Sequence, residues 1–121
     1  MTIDKMEIEQ YVNVEKALLR MGIKVKLFKI LLESFLQDTP SQFEQLQKEI
    51  EENNREAASK SVHALKGVAA NLSLTALYDL CLSFEALLKT DVDISETLAS
   101  FNTVYKKTVE CVNEILPTLS A

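Results

Sequence analysis

The sequence predicts an all-α fold, an antiparallel up-down four-helix bundle with one or two short helices capping it at the N-terminus. Three observations carry that reading. Only two glycines and two prolines punctuate 121 residues, too few breakers for a many-stranded β protein. Apolar residues recur at spacings of three and four, the period of one helix face, rather than alternating. The hydrophobic content of 47% supplies one core at a length below that at which chains divide, so residues 1–121 are expected to form a single domain.

Taken in order, residues 1 to 12 offer Ile3, Met6, Ile8, Tyr11 and Val12 as anchors for a short helix laid across the end of the bundle. Asn13 is placed to cap a helix through Val14, Ala17, Leu18 and Met21, which Gly22 breaks. From Ile23 to Asp38, the positions Leu27, Ile30, Leu31, Ser34 and Phe35, widened by Phe28 and Leu32, predict a core helix. Thr39 and Pro40 read as an N-cap and first helical residue, so a new helix is expected there, with Phe43, Leu46 and Ile50 as its apolar stripe. The glutamates around that stripe form a solvated face. Asn53 and Asn54 end it and cap a helix that runs to Asn71–Ser73. Leu77, Cys81, Phe84 and Leu88 then mark the buried face of a helix from Leu74 to Lys89, Asp91 to Asp93 form a loop, and a last helix runs from Ser95 to Leu116. Its inner side carries Leu98, Phe101, Val104, Tyr105, Val109, Val112 and Leu116. No internal repeat appears.

Composition excludes several classes of function. A net charge of −5 argues against nucleic acid or an anionic membrane surface as partner, since both require a basic patch. Asp4, Glu7, Glu9 and Glu15 interrupt the first twenty residues, and no run reaches the ~18 apolar residues of a membrane span; a cytoplasmic protein without a secretory signal is expected. Cys81 and Cys111 lack CxxC spacing, and the chain has one histidine, so neither a metal site nor a disulfide framework is expected. Both cysteines read as buried thiols.

That single histidine sits in Ser61-Val62-His63-Ala64-Leu65-Lys66-Gly67-Val68-Ala69-Ala70-Asn71-Leu72-Ser73. On a helix, Ala58, Leu65, Val68, Ala69 and Leu72 make the apolar stripe, while Ser59, His63, Lys66, Gly67 and Ala70 face the other way as a docking face. Glycine inside a helix costs roughly 0.5–1 kcal/mol relative to alanine, and the neighbouring alanines show that alanine suits this segment. At four residues from His63, the bare Gly67 clears room for a large partner to reach the ring. Lys66 is a flexible charge able to neutralise an anion on the ring nitrogen. Histidine, lysine and glycine together describe a nitrogen nucleophile that receives an anionic group from another macromolecule.

The segment resembles the signature of histidine-containing phosphotransfer domains, in which His-x-x-Lys-Gly is followed by small residues and Asn-Leu-Gly. The likeness extends to Leu31-Leu-Glu-Ser-Phe35 upstream and to Leu77, Cys81 and Glu85 downstream; Ser73 stands where the family usually has glycine. Glycine there would allow a left-handed helix end, whereas serine can instead cap the next helix. The resemblance implies a monomeric phosphocarrier of two-component phosphorelays, with His63 exchanging a phosphoryl group with receiver-domain aspartates of response regulators or hybrid kinases. It also implies no cofactor in this chain, Mg²⁺ arriving with the receiver. No Gly-rich nucleotide loop is present, so neither ATP binding nor self-phosphorylation is expected.

Two alternatives belong to other classes. One is an interaction module that binds and inhibits a receiver or kinase while His63 stays idle; the other is an enzyme using His63 as general base, for which the sequence offers neither nucleophile nor orienting triad. Glu85 is open in the same way. Positions 63 and 85 lie ten and twelve residues from position 73, so an antiparallel hairpin brings them together, and Glu85 can orient the imidazole. It can equally be a surface glutamate paired with Lys89 at i+4.

Overall fold

Six α-helices account for nearly all of the chain in the computed structural model, which describes residues 4–20 and 24–119. They are α1 (Lys5–Tyr11), α2 (Val14–Arg20), α3 (Val25–Glu51), α4 (Arg55–Leu72), α5 (Thr75–Leu88) and α6 (Ser95–Ile115), followed by a 3₁₀ turn at Leu116–Thr118. No strand occurs among the described residues. None of the helices is long and apolar enough to cross a membrane. The expected anchor Ile3, the helix end at Met21 and Gly22 and the helix start at Ile23 lie outside the described residues.

The break expected at Thr39–Pro40 does not exist: α3 runs through Pro40 without interruption. Proline inside a helix removes one hydrogen bond and costs about 3 kcal/mol, but here the ring is on the exposed side, where solvent can serve the freed carbonyl. On the inner side, Thr39 donates its hydroxyl to the Phe35 carbonyl at 2.7 Å and shares a 2.9 Å bond with the Tyr105 hydroxyl. The buried stripe passes the proline in phase, through Phe28, Leu32, Phe35, Thr39 and Leu46. Burying it outweighs the lost bond. The same register corrects the expected core face, because Leu27 and Ile30 are 42% and 53% exposed.

The long helices pack side by side around one core. Glu49, near the end of α3, accepts a bond from Ser61 near the start of α4, while Leu31 and Phe35 share a groove with Val68 and Leu72. These two helices therefore run in opposite directions. α5 and α6 meet at Phe84 and Phe101, with ring centroids 5.3 Å apart. α6 returns to α3, where Asn102 accepts from Gln47 and Tyr105 reaches Thr39. Phe43 stacks on Tyr105 at 4.4 Å and on Phe101 at 5.8 Å, and such aromatic pairs contribute about 0.5–1.5 kcal/mol each beyond burial. Cys81 and Cys111 are fully buried free thiols, as expected. Burial pushes the Cys81 thiol up to about 12.

Two short helices cap the bundle. Asp4 caps α1 by accepting from the Met6 amide, and Asn13 caps α2 by accepting from the Lys16 amide at 3.0 Å, as its sequence position suggests. The arm is tied down by Glu7 and Lys107 at 2.8 Å, by the Thr75 hydroxyl on the Gln10 carbonyl, and by Arg20 on the Ala70 carbonyl at 2.7 Å. The Glu7 carboxylate bonded to Lys107 holds that lysine above its ordinary pKa.

Both α3 and α4 end in Schellman motifs made without glycine. Asn53 at φ 56° and Ser73 at φ 54° take the left-handed position, with Asn54 and Leu74 donating to the carbonyls of Glu49 and Ala69. Asn54 also caps α4 by accepting from the Ala57 amide. Ser73 does not cap the next helix: α5 starts from Leu74 with no side-chain cap, and among the described residues the buried Ser73 hydroxyl has no partner. The left-handed backbone is fixed by the turn, so serine takes the conformation the family's glycine would take.

Candidate functional site

His63 occupies the outward side of α4, opposite the buried Ala58, Val62, Leu65, Ala69 and Leu72. The short turn at Ser73 folds α5 back along α4, and Arg55 locks the far end of that pair. Its guanidinium donates to the carbonyls of Leu87, Thr90 and Val92, which satisfies the C-terminal end of α5 and fixes it to the first turn of α4. Held at both ends, the pair brings position 63 opposite position 85.

Glu85 Oε1 lies 2.9 Å from His63 Nδ1, and Glu85 Oε2 lies 2.7 Å from Lys66 Nζ. The glutamate side chain is only 12% exposed, whereas the imidazole is 68% exposed. The Lys66 ammonium paired with it at 2.7 Å, aided by the hydrogen bond from His63, holds the Glu85 carboxyl below the usual carboxylate range against the opposing effect of burial. Lys66 is correspondingly held above its ordinary value by Glu85. An ionised carboxylate can only accept, so the nitrogen facing it carries the proton. Nδ1 is therefore the donor in the neutral ring, and the lone pair is on Nε2. Such a ring can act as a nitrogen nucleophile without first losing a proton.

The surroundings qualify the expected docking face. Gly67 is exposed, and a Cβ added to it would meet nothing within 4 Å, so no internal packing requires glycine there. Ser59, expected on the exposed face, is buried: at 9% exposed it floors a groove of about 720 Å³ beside His63. Rotated about 40° from His63 toward α5, position 59 falls between the two helices rather than on the crest. Lys66 is turned the same way, with its side chain 20% exposed. Ala70 is half-buried, and its carbonyl accepts from Arg20 of α2.

The surface-glutamate reading of Glu85 survives only as a minor contact, since Lys89 Nζ is 3.8 Å from Oε1. Arg55 and Arg20 were not singled out by sequence. Arg55 carried a signal nonetheless: a cation in the first turn opposes the helix dipole, which marks a side chain with a partner elsewhere. Among the described residues, no three histidine, cysteine or acidic side chains gather into a set that could hold a metal ion.

In a comparison with protein families, the model described as Hpt domain matches residues 30–117, which include most of α3 and all of α4, α5 and α6. No curated protein matches the chain, and no solved structure does.

Proposed function

The chain belongs to the Hpt domain family, phosphocarriers that serve histidine phosphotransfer with receiver domains as partners, and on that premise we propose that His63 accepts a phosphoryl group on Nε2 from one receiver aspartate and passes it to another. The observation that carries this is the 2.9 Å contact between Nδ1 and Glu85 on a ring that is otherwise two-thirds exposed. In the forward step the Nε2 lone pair forms the N–P bond as the P–O bond of the acyl phosphate breaks, and the electron pair leaves with the receiver carboxylate. The proton on Nδ1 stays in its bond to Glu85 and balances part of the incoming charge. Lys66 fixes Glu85 and adds a positive charge beside the ring.

Gly67, with neither side chain nor internal neighbour, leaves the crest of α4 open to a receiver, and the groove over Ser59 and the half-buried Ala70 flank it. Mg²⁺, supplied by the receiver, would neutralise charge on the phosphoryl group in flight. The chain acts as a monomeric carrier that neither binds ATP nor phosphorylates itself. Incubation with a phosphorylated receiver should move acid-labile, alkali-stable phosphate onto this chain and then onto a second receiver. Transfer that persisted in His63→Gln would refute the assignment, and binding without transfer in the parent would leave an inhibitor instead.

A further inference from the structure

Four cationic side chains stand around His63, and each has a different freedom. Arg55 spends its guanidinium on three carbonyls. Lys60 turns back along α4 to Glu56 at 3.8 Å. Lys66 is bonded to Glu85 Oε2 at 2.7 Å and is largely buried. Lys89 lies one turn beyond Glu85, at the C-cap of α5, 3.8 Å from Oε1, the oxygen that also holds Nδ1, and its side chain is 66% exposed. Both Lys60 and Lys89 line the groove beside the imidazole, as do the acidic Glu56 and Asp91.

We infer that Lys89 supplies the mobile positive charge that meets the phosphoryl group on His63, while Lys66 acts mainly by holding Glu85. The inference rests on the carrier reading above. A phosphoryl group brings about −1.5 to −2 charges at neutral pH. Moving Lys66 onto it would break a 2.7 Å ion pair and leave Glu85 Oε2, which has little contact with water, without its cation. Lys89 gives up only a loose, solvated contact, and its flexible stem carries the ammonium across the groove. When it leaves, Glu85 keeps its hydrogen bond to His63 and its ion pair with Lys66. Lys89 thus completes the site from the C-terminal end of α5, outside the His-x-x-Lys-Gly segment.

The test uses the full chain loaded with potassium phosphoramidate, so that no partner is needed: the P–N bond of the reagent breaks, the P–Nε2 bond forms, and ammonia leaves. The titration of the bound phosphoryl group is then followed by ³¹P NMR at low salt. A nearby cation favours the dianion, so Lys89→Gln should raise the phosphoryl midpoint by roughly half a pH unit, and Lys89→Arg should restore it. Lys66→Met and Lys60→Gln should each move it by less than half as much, and added salt should shrink the Lys89 effect. A larger shift from Lys66→Met or Lys60→Gln, or no shift from Lys89→Gln, would overturn the inference and leave the carrier reading intact. Absence of any phosphoryl signal on His63 in the parent would overturn both.

Discussion

Replacing Ser73 by glycine should stabilise this protein while leaving His63 untouched. Ser73 holds φ 54° at the end of α4, a conformation that costs a non-glycine residue roughly 1 kcal/mol. Its hydroxyl is buried without a partner among the described residues, which costs about 1 kcal/mol or more. Glycine removes both terms, and its greater freedom in the unfolded chain takes back roughly 0.5–1 kcal/mol. The backbone bonds of the turn, including the 3.0 Å bond from the Asn13 amide to the Ser73 carbonyl, need no side chain and remain. The net gain is about 1–2 kcal/mol, which corresponds to a rise in Tm of roughly 4–8 °C for a domain of this size. Calorimetry on the parent, Ser73→Gly and Ser73→Ala checks it, with alanine expected to recover only the hydroxyl part. An unchanged or lower Tm in Ser73→Gly would refute the left-handed, unpartnered description of this residue.

Gly67→Ala should stabilise the fold by about 0.5–1 kcal/mol in urea unfolding, because the new methyl meets nothing inside the molecule; Gly67→Gln should be at least as stable as the parent yet slow transfer from a phosphorylated receiver about tenfold or more. Glu85 has a depressed folded pKa, so its contribution to stability is full above the ordinary value of 4.5 and is lost as pH falls below it toward the folded value. Urea unfolding at about pH 6 and about pH 3.5 should therefore show a smaller acid loss in Glu85→Gln than in the parent, and equal losses would contradict the ion pair. Thr39→Val should destabilise by about 1–3 kcal/mol by leaving the buried Tyr105 hydroxyl unpartnered, and the additional change Tyr105→Phe should recover part of the loss.

Much of this was legible in the sequence, and the failures share a cause. Caps and stripes are local, so Asn13, Asn54 and the α5 face through Leu77, Cys81, Phe84 and Leu88 were readable at their positions. The Thr39–Pro40 pair has the same local signature whether it starts a helix or sits within one. The decision lay with Tyr105, distant in sequence, and with a stripe whose phase the proline does not disturb. Similarly, the wheel that placed Ser59 outward treats α4 as alone, and it is α5 that covers that side. The juxtaposition of His63 and Glu85 could be counted from the turn, but the grip of Lys66 on Glu85 could not. An ammonium three residues from the histidine can reach either an incoming anion or a neighbouring helix, and spacing alone does not choose.

The carrier role of His63 is tested most directly by the position of the phosphoryl group on its ring. The phosphorylated 121-residue chain, labelled with ¹⁵N at histidine, shows by ¹⁵N–³¹P coupling which nitrogen carries phosphorus and by ¹H–¹⁵N correlation which carries the proton. Phosphorus is expected on Nε2 of His63, with a protected proton on Nδ1 bonded to Glu85. Phosphorus on Nδ1, or on any residue other than His63, would contradict it.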